Sequence, residues 1–545
     1  MSMIPTRHIS AFPQCLFGLV LICWPLLDTD PANAITPRRI GLGSCLVLLL
    51  VSSIALRRRP IHGQPTDWAM LACALWYTGR AVWSDTPLDP YDLLNSFILL
   101  CSYAWCRLEG TRIVLPALFL SGVIQSIVAL AQCAGTTASR HSYYDLTGSF
   151  PNPGPLGGWL CIATLAALIL SQRAWQTRNL LQIVPLSLGS LILAGTLLLT
   201  DSRAAWLGVV AGAFVWIGTR RFRHRPLLFI SMGLTLLLGT TFLYHYKKES
   251  ADGRLFIWHV SAEWIAERPI AGHGIGSFQD QYMFAQAGYF ARHPASYGRQ
   301  IADQVDRPFN EWIGIACEQG AIGTLLSLLL FGLVYRANRG STVLVLLTGL
   351  IVFGLFSYPS AFLSFGMVLG ALLAGCPTDG PSDSCRRLSP GISGAVCAII
   401  LATGGAVLGT VYRNGSTERS RYIRLREASL EIQKPQIDIP RLETLASRLP
   451  IAEFYVDLGD RLLDRQEIER AKHYYRQAMQ MIPSRLRPYD GLFRAYLSAG
   501  QTDSATRIAR HIVAMPLKVS NTTTIRIRHQ AKEWLERQPR LFPEN

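Results

Sequence analysis

A series of apolar runs between Ala11 and Val411 sets the strongest limit on how this chain can fold. Short polar breaks separate the runs, and many runs approach the roughly 20 mostly apolar residues that a helix needs to cross a bilayer. A backbone inside lipid must satisfy its own hydrogen bonds, and a helix does so within one segment. The sequence therefore predicts an all-α fold in which residues 1–411 form a polytopic helical membrane domain.

The prediction is for about 12–13 membrane spans. The thirteen predicted segments are 11–28, 40–56, 67–84, 91–106, 113–133, 156–172, 179–199, 204–219, 226–243, 312–335, 341–359, 361–376 and 391–411. Residues 412–545 contain no apolar run of that length, which predicts a second, water-soluble domain.

Arginine clusters orient the predicted spans. They lie in short connecting loops, at 57–59, 220–225, 336–339 and 386–387. Cytoplasmic loops are enriched in Lys and Arg, so the N-terminus is predicted to be cytoplasmic and residues 412–545 external. The predicted external segments of the membrane domain are 134–155, 200–203, 244–311 and 357–360. In a cell with two membranes, this places the chain in the inner membrane with its C-terminal domain in the periplasm.

The net charge of +16 would also suit a nucleic-acid partner, but the positions of the arginines favour membrane topology instead, and no nucleic-acid partner is predicted. The 12 cysteines lie mostly within apolar segments, and none lies in 244–310 or 412–545. They do not form a metal-ligand spacing or a disulfide framework, and read as small buried apolar residues. No metal or other cofactor is predicted.

Two short motifs lie in the first external segments. Residues 148–158 read GSFPNPGPLGG at the entrance of a span, and residues 200–203 read TDSR. The glycines and prolines of the first motif are also typical of an ordinary turn. Arg203 stands on the face where arginines are disfavoured, and binding an anionic group at a helix N-terminus would account for it.

The external segment 244–311 is the richest in polar motifs. It contains DGRLFIW at 252–258 and PIAGHGIGSF at 269–278, and PFNEW at 308–312 follows. The first of these begins a mixed apolar face that predicts a helix lying in the membrane interface. The next span opens with EQGAIG at 318–323, where a glutamate inside a membrane segment indicates function or a buried polar contact.

In this order, the motifs resemble the O-antigen ligase/polymerase superfamily, which includes glycan ligases, polysaccharide polymerases and protein O-oligosaccharyltransferases. The resemblance covers residues 140–335 closely. It implies transfer of a glycan from an undecaprenyl-pyrophosphate carrier to an acceptor hydroxyl without a metal ion. The acceptor would be a lipid A core, a growing glycan or a protein Ser/Thr.

Arg203 and Arg254 match the functional arginines of that family. Guanidinium groups bind phosphate oxygens bidentately and keep their proton, so these two are predicted to stabilise the charge that develops on the pyrophosphate. Further predicted substrate-binding residues are Asn152, Ser202, Trp258, His273, Arg307, Asn310 and Glu318.

One position departs from the family pattern. Many members have a histidine directly before the asparagine of the last motif, where it is proposed to activate the acceptor, and here that residue is Phe309. Phenylalanine cannot accept a proton, so either another group serves as the base or this subgroup depends less on one; a protein without catalytic activity is the third alternative. The candidate bases are His293, Asp303, Asp306, Glu311 and His273, of which His293, Asp303 and Glu311 are predicted to be catalytic.

The soluble tail resembles a tetratricopeptide repeat domain. Leu458, Gly459, Ala471, Tyr475, Ala478 and Pro483 fall on the repeat's small and large positions, and a weaker copy follows. Flanking helices are predicted at 421–432, 440–448 and 521–537. Such a surface would bind a protein partner or present an acceptor; a generic pair of helical hairpins is the alternative.

Two other function classes stay open. One is a non-catalytic membrane scaffold that recruits partners through the repeats, which fits the missing histidine. The other is a transporter of lipid or polysaccharide, for which polar groups in broken membrane helices are expected. Arg80 is the main residue of that kind in the sequence.

Overall fold

The computed structural model describes residues 11–28, 34–55, 63–84, 88–218, 225–375, 390–517 and 520–537. The arginines at 57–59, 220–223 and 386–387, which orient the predicted spans, lie outside the described residues.

The regular elements of these described ranges are all helical, which confirms the all-α prediction. In chain order they are α1 (Ala11–Leu27), α2 (Pro37–Ala55), α3 (Pro65–Trp83), α4 (Pro90–Glu109), α5 (Val114–Cys133), α6 (Pro153–Thr177), α7 (Leu180–Leu199), α8 (Arg203–Gly218), α9 (Arg225–Tyr246), α10 (Lys248–Glu267), α11 (Ser277–Arg292), α12 (Gly298–Ile301), α13 (Glu311–Ala337), α14 (Val343–Gly354), a 3₁₀ turn (Pro359–Ala361), α15 (Leu363–Ala374), α16 (Pro390–Gly415), α17 (Arg421–Ile432), α18 (Ile439–Ala446), α19 (Ala452–Asp464), α20 (Ile468–Met481), α21 (Leu486–Ser498), α22 (Thr502–Ala514) and α23 (Thr522–Arg537).

The chain divides into two compact units, each built from separate stretches of sequence. The first, called the membrane unit here, comprises Met1–Tyr246, Ile270–Ile275 and Phe309–Ser420. The second, called the C-terminal unit, comprises Lys247–Pro269, Gly276–Pro308 and Arg421–Asn545. The sequence-based boundary at 411 keeps the whole segment 244–311 with the membrane domain, whereas this division assigns most of that segment to the C-terminal unit.

Among the described residues of the membrane unit, six helices are long and apolar enough to cross a bilayer. They are Pro37–Ala55, Val114–Cys133, Pro153–Thr177, Leu180–Leu199, Glu311–Ala337 and Ile392–Gly415. Together with the shorter apolar helices they make a polytopic helical membrane protein, as the sequence predicts. Helix α6 lies at the centre, packed against α5, α7, α8 and α14.

Two predicted spans are shorter than expected. The segments 341–359 and 361–376 contain α14 and α15, which have 12 residues each. At 1.5 Å per residue each helix is about 18 Å long, well below the roughly 30 Å of a bilayer core. The chain leaves helical geometry between them at Ser357-Tyr358-Pro359, and Gly375 ends α15 with a φ of 68°. Both helices are mostly buried within the unit, where irregular backbone is tolerated.

The C-terminal unit stacks α19 to α23 in sequence order, each helix packed against the next. The Tyr475 ring on α20 fits between two glycines: a Cβ at Gly459 or Gly491 would lie 2.7 or 2.2 Å from it. The flanking helices predicted at 421–432, 440–448 and 521–537 are present as α17, α18 and α23. The assignment to tetratricopeptide repeats stays a prediction.

Parts of the 244–311 segment complete this unit. Helix α11 packs against α20, and the Gln286 amide donates to the Met481 carbonyl at 2.7 Å. Helix α10 contains the DGRLFIW motif at 252–258, where the sequence predicts a helix. Its apolar side packs inside the unit, with Phe256 stacked on Phe290 at 5.4 Å between ring centroids.

Candidate functional site

A polar loop between α14 and α15 is tied to the starts of two long helices in the membrane unit. The carboxylate of Glu311, the first residue of α13, accepts hydrogen bonds from the backbone N–H and the hydroxyl of Ser360, both at 2.7 Å. The Asn95 amide donates to the Ser360 carbonyl, and the Tyr91 hydroxyl donates to the Ala361 carbonyl at 3.1 Å. Both oxygens of Glu311 are therefore engaged in holding this loop.

Tyr358 in the same loop lies between two of the predicted motifs. The Asn152 amide donates to the Tyr358 hydroxyl at 3.1 Å. The ring of Phe309 meets the Tyr358 ring edge to face, with 5.2 Å between centroids. Phe309 has a φ of 53°, a left-handed conformation that is uncommon for a residue other than glycine. Phe309, at the family's histidine position, thus packs against the ring of the same tyrosine whose hydroxyl accepts from Asn152.

Both predicted substrate-binding asparagines are helix caps. The side-chain oxygen of Asn152 accepts from Gly154 N at 3.0 Å at the start of α6. The side-chain oxygen of Asn310 accepts from Trp312 N at 3.0 Å and from Ile313 N at 3.1 Å at the start of α13. Asparagine is among the preferred N-cap residues because its oxygen satisfies N–H groups that have no partner within the helix.

The glycines of 148–158 allow close packing. A Cβ at Gly157 would lie 2.3 Å from the Ser202 Cβ, and one at Gly158 would lie 2.3 Å from the Phe353 ring. Gly148 has a φ of 57°, and its N–H donates to the Gln132 side-chain oxygen at 2.7 Å. The first motif thus packs directly against the second.

Arg203 is the first residue of α8, directly after the buried Ser202. Its Nη1 donates to the Leu243 carbonyl near the end of α9 at 2.7 Å. A guanidinium carries five N–H donors in a fixed fork, which suits anionic oxygen groups. Arg203 itself stands at the N-terminus of α8, a position where anions are favoured.

The glycine-rich turn 270–276 docks onto a break in α13. Gly320 has φ 63° and ψ −164°, so helical geometry stops there. The backbone N–H of His273 donates to the Cys317 carbonyl and that of Gly274 to the Glu318 carbonyl, both at 2.9 Å.

Close approach explains the glycines of this turn. A Cβ at Gly272 would lie 2.5 Å from the Glu318 carbonyl carbon, and the turn glycines have positive φ angles. His273 is 6% exposed, so the structure uses its backbone in the turn and buries its side chain. Arg80 on α3 donates from Nη2 to the Gly272 carbonyl at 2.9 Å.

The other candidate bases lie in the C-terminal unit, where they have charged partners. Asp303 accepts from Arg485 Nη2 at 2.6 Å, and Asp306 accepts from Arg421 Nη2 at 3.4 Å. His293 is half-exposed at the end of α11, with its Nε2 3.4 Å from the carboxylate of Glu263. Of these groups, His293 combines an imidazole, an orienting carboxylate and access to solvent.

Arg254 and Trp258 lie on α10, and Arg307 lies in the segment that follows α12. The Trp258 indole N–H donates to the Pro308 carbonyl at 2.8 Å, which ties α10 to the end of that segment. Among the residues that the structure describes, no three His, Cys, Asp or Glu side chains are grouped to hold a metal ion.

Sequence reasoning missed Tyr358 and Ser360, the residues through which the loop between α14 and α15 contacts the site. The external segment 357–360 is predicted from topology, but Tyr358 and Ser360 carry no family motif. The sequence signal for these two residues is SYPS at 357–360, a polar break inside the apolar stretch 341–376. Sequence reasoning also missed Gln125 and Gln132, whose side chains hold the turn at 147–149. These two stand seven residues apart in an apolar run, on one face of a helix.

Comparison with known proteins places this chain near one family. Residues 188–328 match the O-antigen ligase family. A protein of Rickettsia conorii (strain Malish 7) named as a polysaccharide ligase is 29% identical over an alignment 147 residues long, which covers 24% of this chain and 34% of the relative. The chain thus matches about a third of the relative's length. No solved structure matches the chain. The range 188–328, which contains Arg203, Arg254 and the α13 break, is therefore similar to O-antigen ligases.

Proposed function

We propose that this protein is a membrane glycan ligase that transfers an oligo- or polysaccharide from an undecaprenyl-pyrophosphate carrier to an acceptor hydroxyl on the periplasmic face. The observation that carries the proposal is the match of residues 188–328 to the O-antigen ligase family. That range contains both arginines that the sequence motifs single out. The acceptor would be a lipid A core, a growing glycan or a protein Ser/Thr.

The chemistry needs stabilisation of a leaving group. The acceptor oxygen forms a bond to the anomeric carbon of the glycan, the bond from that carbon to the pyrophosphate oxygen breaks, and the acceptor hydroxyl loses its proton. Negative charge grows on the pyrophosphate in the transition state, and fixed cations there lower the barrier. Arg203, at the N-terminus of α8, and Arg254, on α10, supply such charge.

A base is needed for the acceptor proton, and Phe309 cannot provide one. Glu311 is bonded twice to Ser360, and Asp303 is ion-paired with Arg485. His293 beside Glu263 is the best-supported base, because the carboxylate can orient the imidazole and the ring is open to solvent. In this proposal Glu311 is a positioning residue, and Asn152 and Asn310 order the starts of α6 and α13.

The predicted orientation gains support from the stretches of chain that together form the C-terminal unit. Stretches of the 244–311 segment and residues 421–545 form one compact unit, so they belong on the same side of a membrane. The arginine distribution favours the external side for both. The helical stack α19–α23 would then offer its surface to a protein partner or an acceptor outside the cytoplasm.

The test is a deletion strain complemented with wild-type protein or with Arg203→Ala, Arg254→Ala and Arg336→Ala. Lipopolysaccharide banding and glycoprotein shifts are read together. We expect the first two variants to lose transfer by at least 100-fold, which matches the roughly 2.7–4 kcal/mol of one charge-stabilising donor. Arg336 is exposed at the opposite end of α13 and serves as the control. Full activity of Arg203→Ala, or normal patterns in the deletion strain, would contradict the proposal.

A second candidate function, transport of lipid or polysaccharide, is favoured by one observation. The helix break at Gly320 adjoins Arg80, and broken membrane helices with polar neighbours are typical of transporter binding sites. Purified protein with labelled carrier and acceptor separates the two functions. A ligase forms the glycan–acceptor bond in detergent, whereas a transporter needs an intact vesicle to show any activity.

A further inference from the structure

The break in α13 is lined by buried polar groups that lack partners. Gln319, directly before Gly320, is 1% exposed, and neither its side-chain oxygen nor its nitrogen has a hydrogen-bond partner. The indole nitrogen of Trp76 and the Nε of Arg80 are also buried without a partner. Buried polar groups are normally hydrogen-bonded, and inside a membrane protein the cost of leaving them unpaired is high.

These groups meet at one place between α3 and α13, which pack together. A Cβ at Gly323 would lie 3.1 Å from the Trp76 indole nitrogen and 3.3 Å from the Gln319 Cγ. Arg80 follows Trp76 by one helical turn on α3, so the two side chains share a face. The bond from Arg80 Nη2 to the Gly272 carbonyl, at 2.9 Å, fixes the guanidinium beside the break.

Among the side-chain groups without a partner, donors outnumber acceptors at this place. Trp76, Arg80 and the amide nitrogen of Gln319 offer N–H groups, and the Gln319 oxygen is the one orphaned acceptor among them. Arg80 adds a fixed positive charge, and within the described ranges it forms no ion pair with a carboxylate. N–H donors around an arginine fit an anionic oxygen group, and phosphate is the group that a guanidinium binds best.

The outer surface of α3 shows where such a group would come from. Trp68, Leu75, Val82 and Trp83 on this helix are 65–76% exposed. Large apolar side chains with that exposure are suited to contact with lipid, and tryptophans are enriched at the headgroup level. A lipid lying against α3 would have its headgroup near the end of the helix that carries Arg80.

We propose that the break in α13 and the facing side of α3 form a binding site for the phosphate of a lipid headgroup. The site lies between α3 and α13 within the membrane unit, and its existence does not depend on the proposed transfer reaction. The phosphate could belong to an undecaprenyl carrier or to an anionic phospholipid, and the two sources are separated by experiment.

The test measures lipid binding to the purified full-length protein after removal of lipid. Native mass spectrometry is run with dioleoyl phosphatidylglycerol, with undecaprenyl phosphate and with dioleoylglycerol, which has no phosphate. We expect at least one phosphate-bearing lipid to bind at least tenfold more tightly than dioleoylglycerol. Arg80→Gln and Gln319→Leu should each weaken that binding at least tenfold. Arg336→Gln, at the far end of α13, should bind the phosphate-bearing lipid as tightly as the wild type does.

Preference for one phosphate lipid identifies the source, and equal binding of both indicates a general headgroup site; both outcomes support the proposal. Because Arg80→Gln could unfold the protein, the melting temperature of the wild type is measured as well. It should rise with the bound phosphate lipid and not with dioleoylglycerol. Equal binding of all three lipids, or equal binding by wild type and both site variants, would overturn the proposal and leave the orphaned groups to water.

Discussion

Phe309 shows what a single residue can and cannot indicate. The sequence alone shows that a phenylalanine stands where many members of the family have a histidine. Its φ of 53° and the contact with Tyr358 are visible only in the structure. A non-glycine residue in this conformation costs of order 1 kcal/mol, and such strain is often found at functional sites. The contact depends on a residue almost fifty positions away in sequence, which no local pattern relates to the PFNEW motif.

Substitutions of Glu311 distinguish a catalytic base from a residue that only positions the loop at Ser360. Glu311→Gln keeps the size of the side chain but removes one of the two acceptor oxygens that bind Ser360. Hydrogen bonds to charged groups contribute about 1.5–3 kcal/mol each, so we expect a lower melting temperature and partial transfer activity. Glu311→Ala should lose more of both. The measurements are thermal unfolding in detergent and transfer to acceptor in vitro.

Glu267→Gln, at the exposed end of α10, is the matched control and should behave as the wild type. A catalytic base requires a carboxylate. Equal and complete loss of transfer in Glu311→Gln and Glu311→Ala, with the protein still folded, would therefore reject the positioning role.

At the scale of elements, the apolar runs predict most helices, but their lengths depend on tertiary packing. The runs at 341–359 and 361–376 look like full spans, yet α14 and α15 stop after 12 residues. Hydropathy cannot distinguish a lipid-facing span from a short helix buried among others, because both are apolar on all sides. Helix α13 differs in another way. It extends over the whole predicted span 312–335, but its helical geometry is interrupted at Gly320.

Gly320 should be the residue on which the break in α13 depends. A Cβ there would lie 2.4 Å from the Ile270 carbonyl oxygen, and its φ of 63° disfavours any other residue. Gly320→Ala should therefore displace the turn 270–274 and lower stability by about 1–3 kcal/mol. Gly332→Ala on the same helix, where a Cβ would meet nothing within 4 Å, is the control.

The measurement is the melting temperature together with hydrogen exchange of the His273 and Gly274 amides, which the break protects. Gly332→Ala should leave both unchanged or slightly raise the melting temperature, since alanine favours helix more than glycine does. An equal effect of the two substitutions would show that the break has no special requirement for glycine.

For the whole molecule, the sequence separates an apolar region from a charged one, and the structure divides the chain differently. Residues 247–269 and 276–308 belong to the same compact unit as residues 421–545. The contacts that bring them together, such as Gln286 with Met481, join residues almost 200 positions apart. Composition reports the character of each stretch but not which distant stretch it packs against, so this arrangement could not be predicted.

One buried ion pair joins two of these stretches within the C-terminal unit. Arg424 on α17 is 1% exposed and donates to Asp280 on α11 at 2.6 Å. Burial raises the pKa of Asp280, and the nearby Arg424 and Arg421 oppose that rise. Removing one partner of a buried pair leaves an uncompensated charge, which costs about 3–5 kcal/mol.

Arg424→Met in the full-length protein should therefore lower the melting temperature at pH 7, whereas Arg426→Met on the exposed side of the same helix should not. Without Arg424 the folded-state pKa of Asp280 rises further above its unfolded value of about 3.9. The folded protein then binds the proton more tightly, so stability lost at pH 7 should be partly regained as the pH falls towards 5. The double variant Asp280→Asn/Arg424→Met should recover much of the loss at pH 7 and show less dependence on pH. A melting temperature of Arg424→Met that equals the wild type at both pH values would mean that this ion pair does not hold α17 to α11.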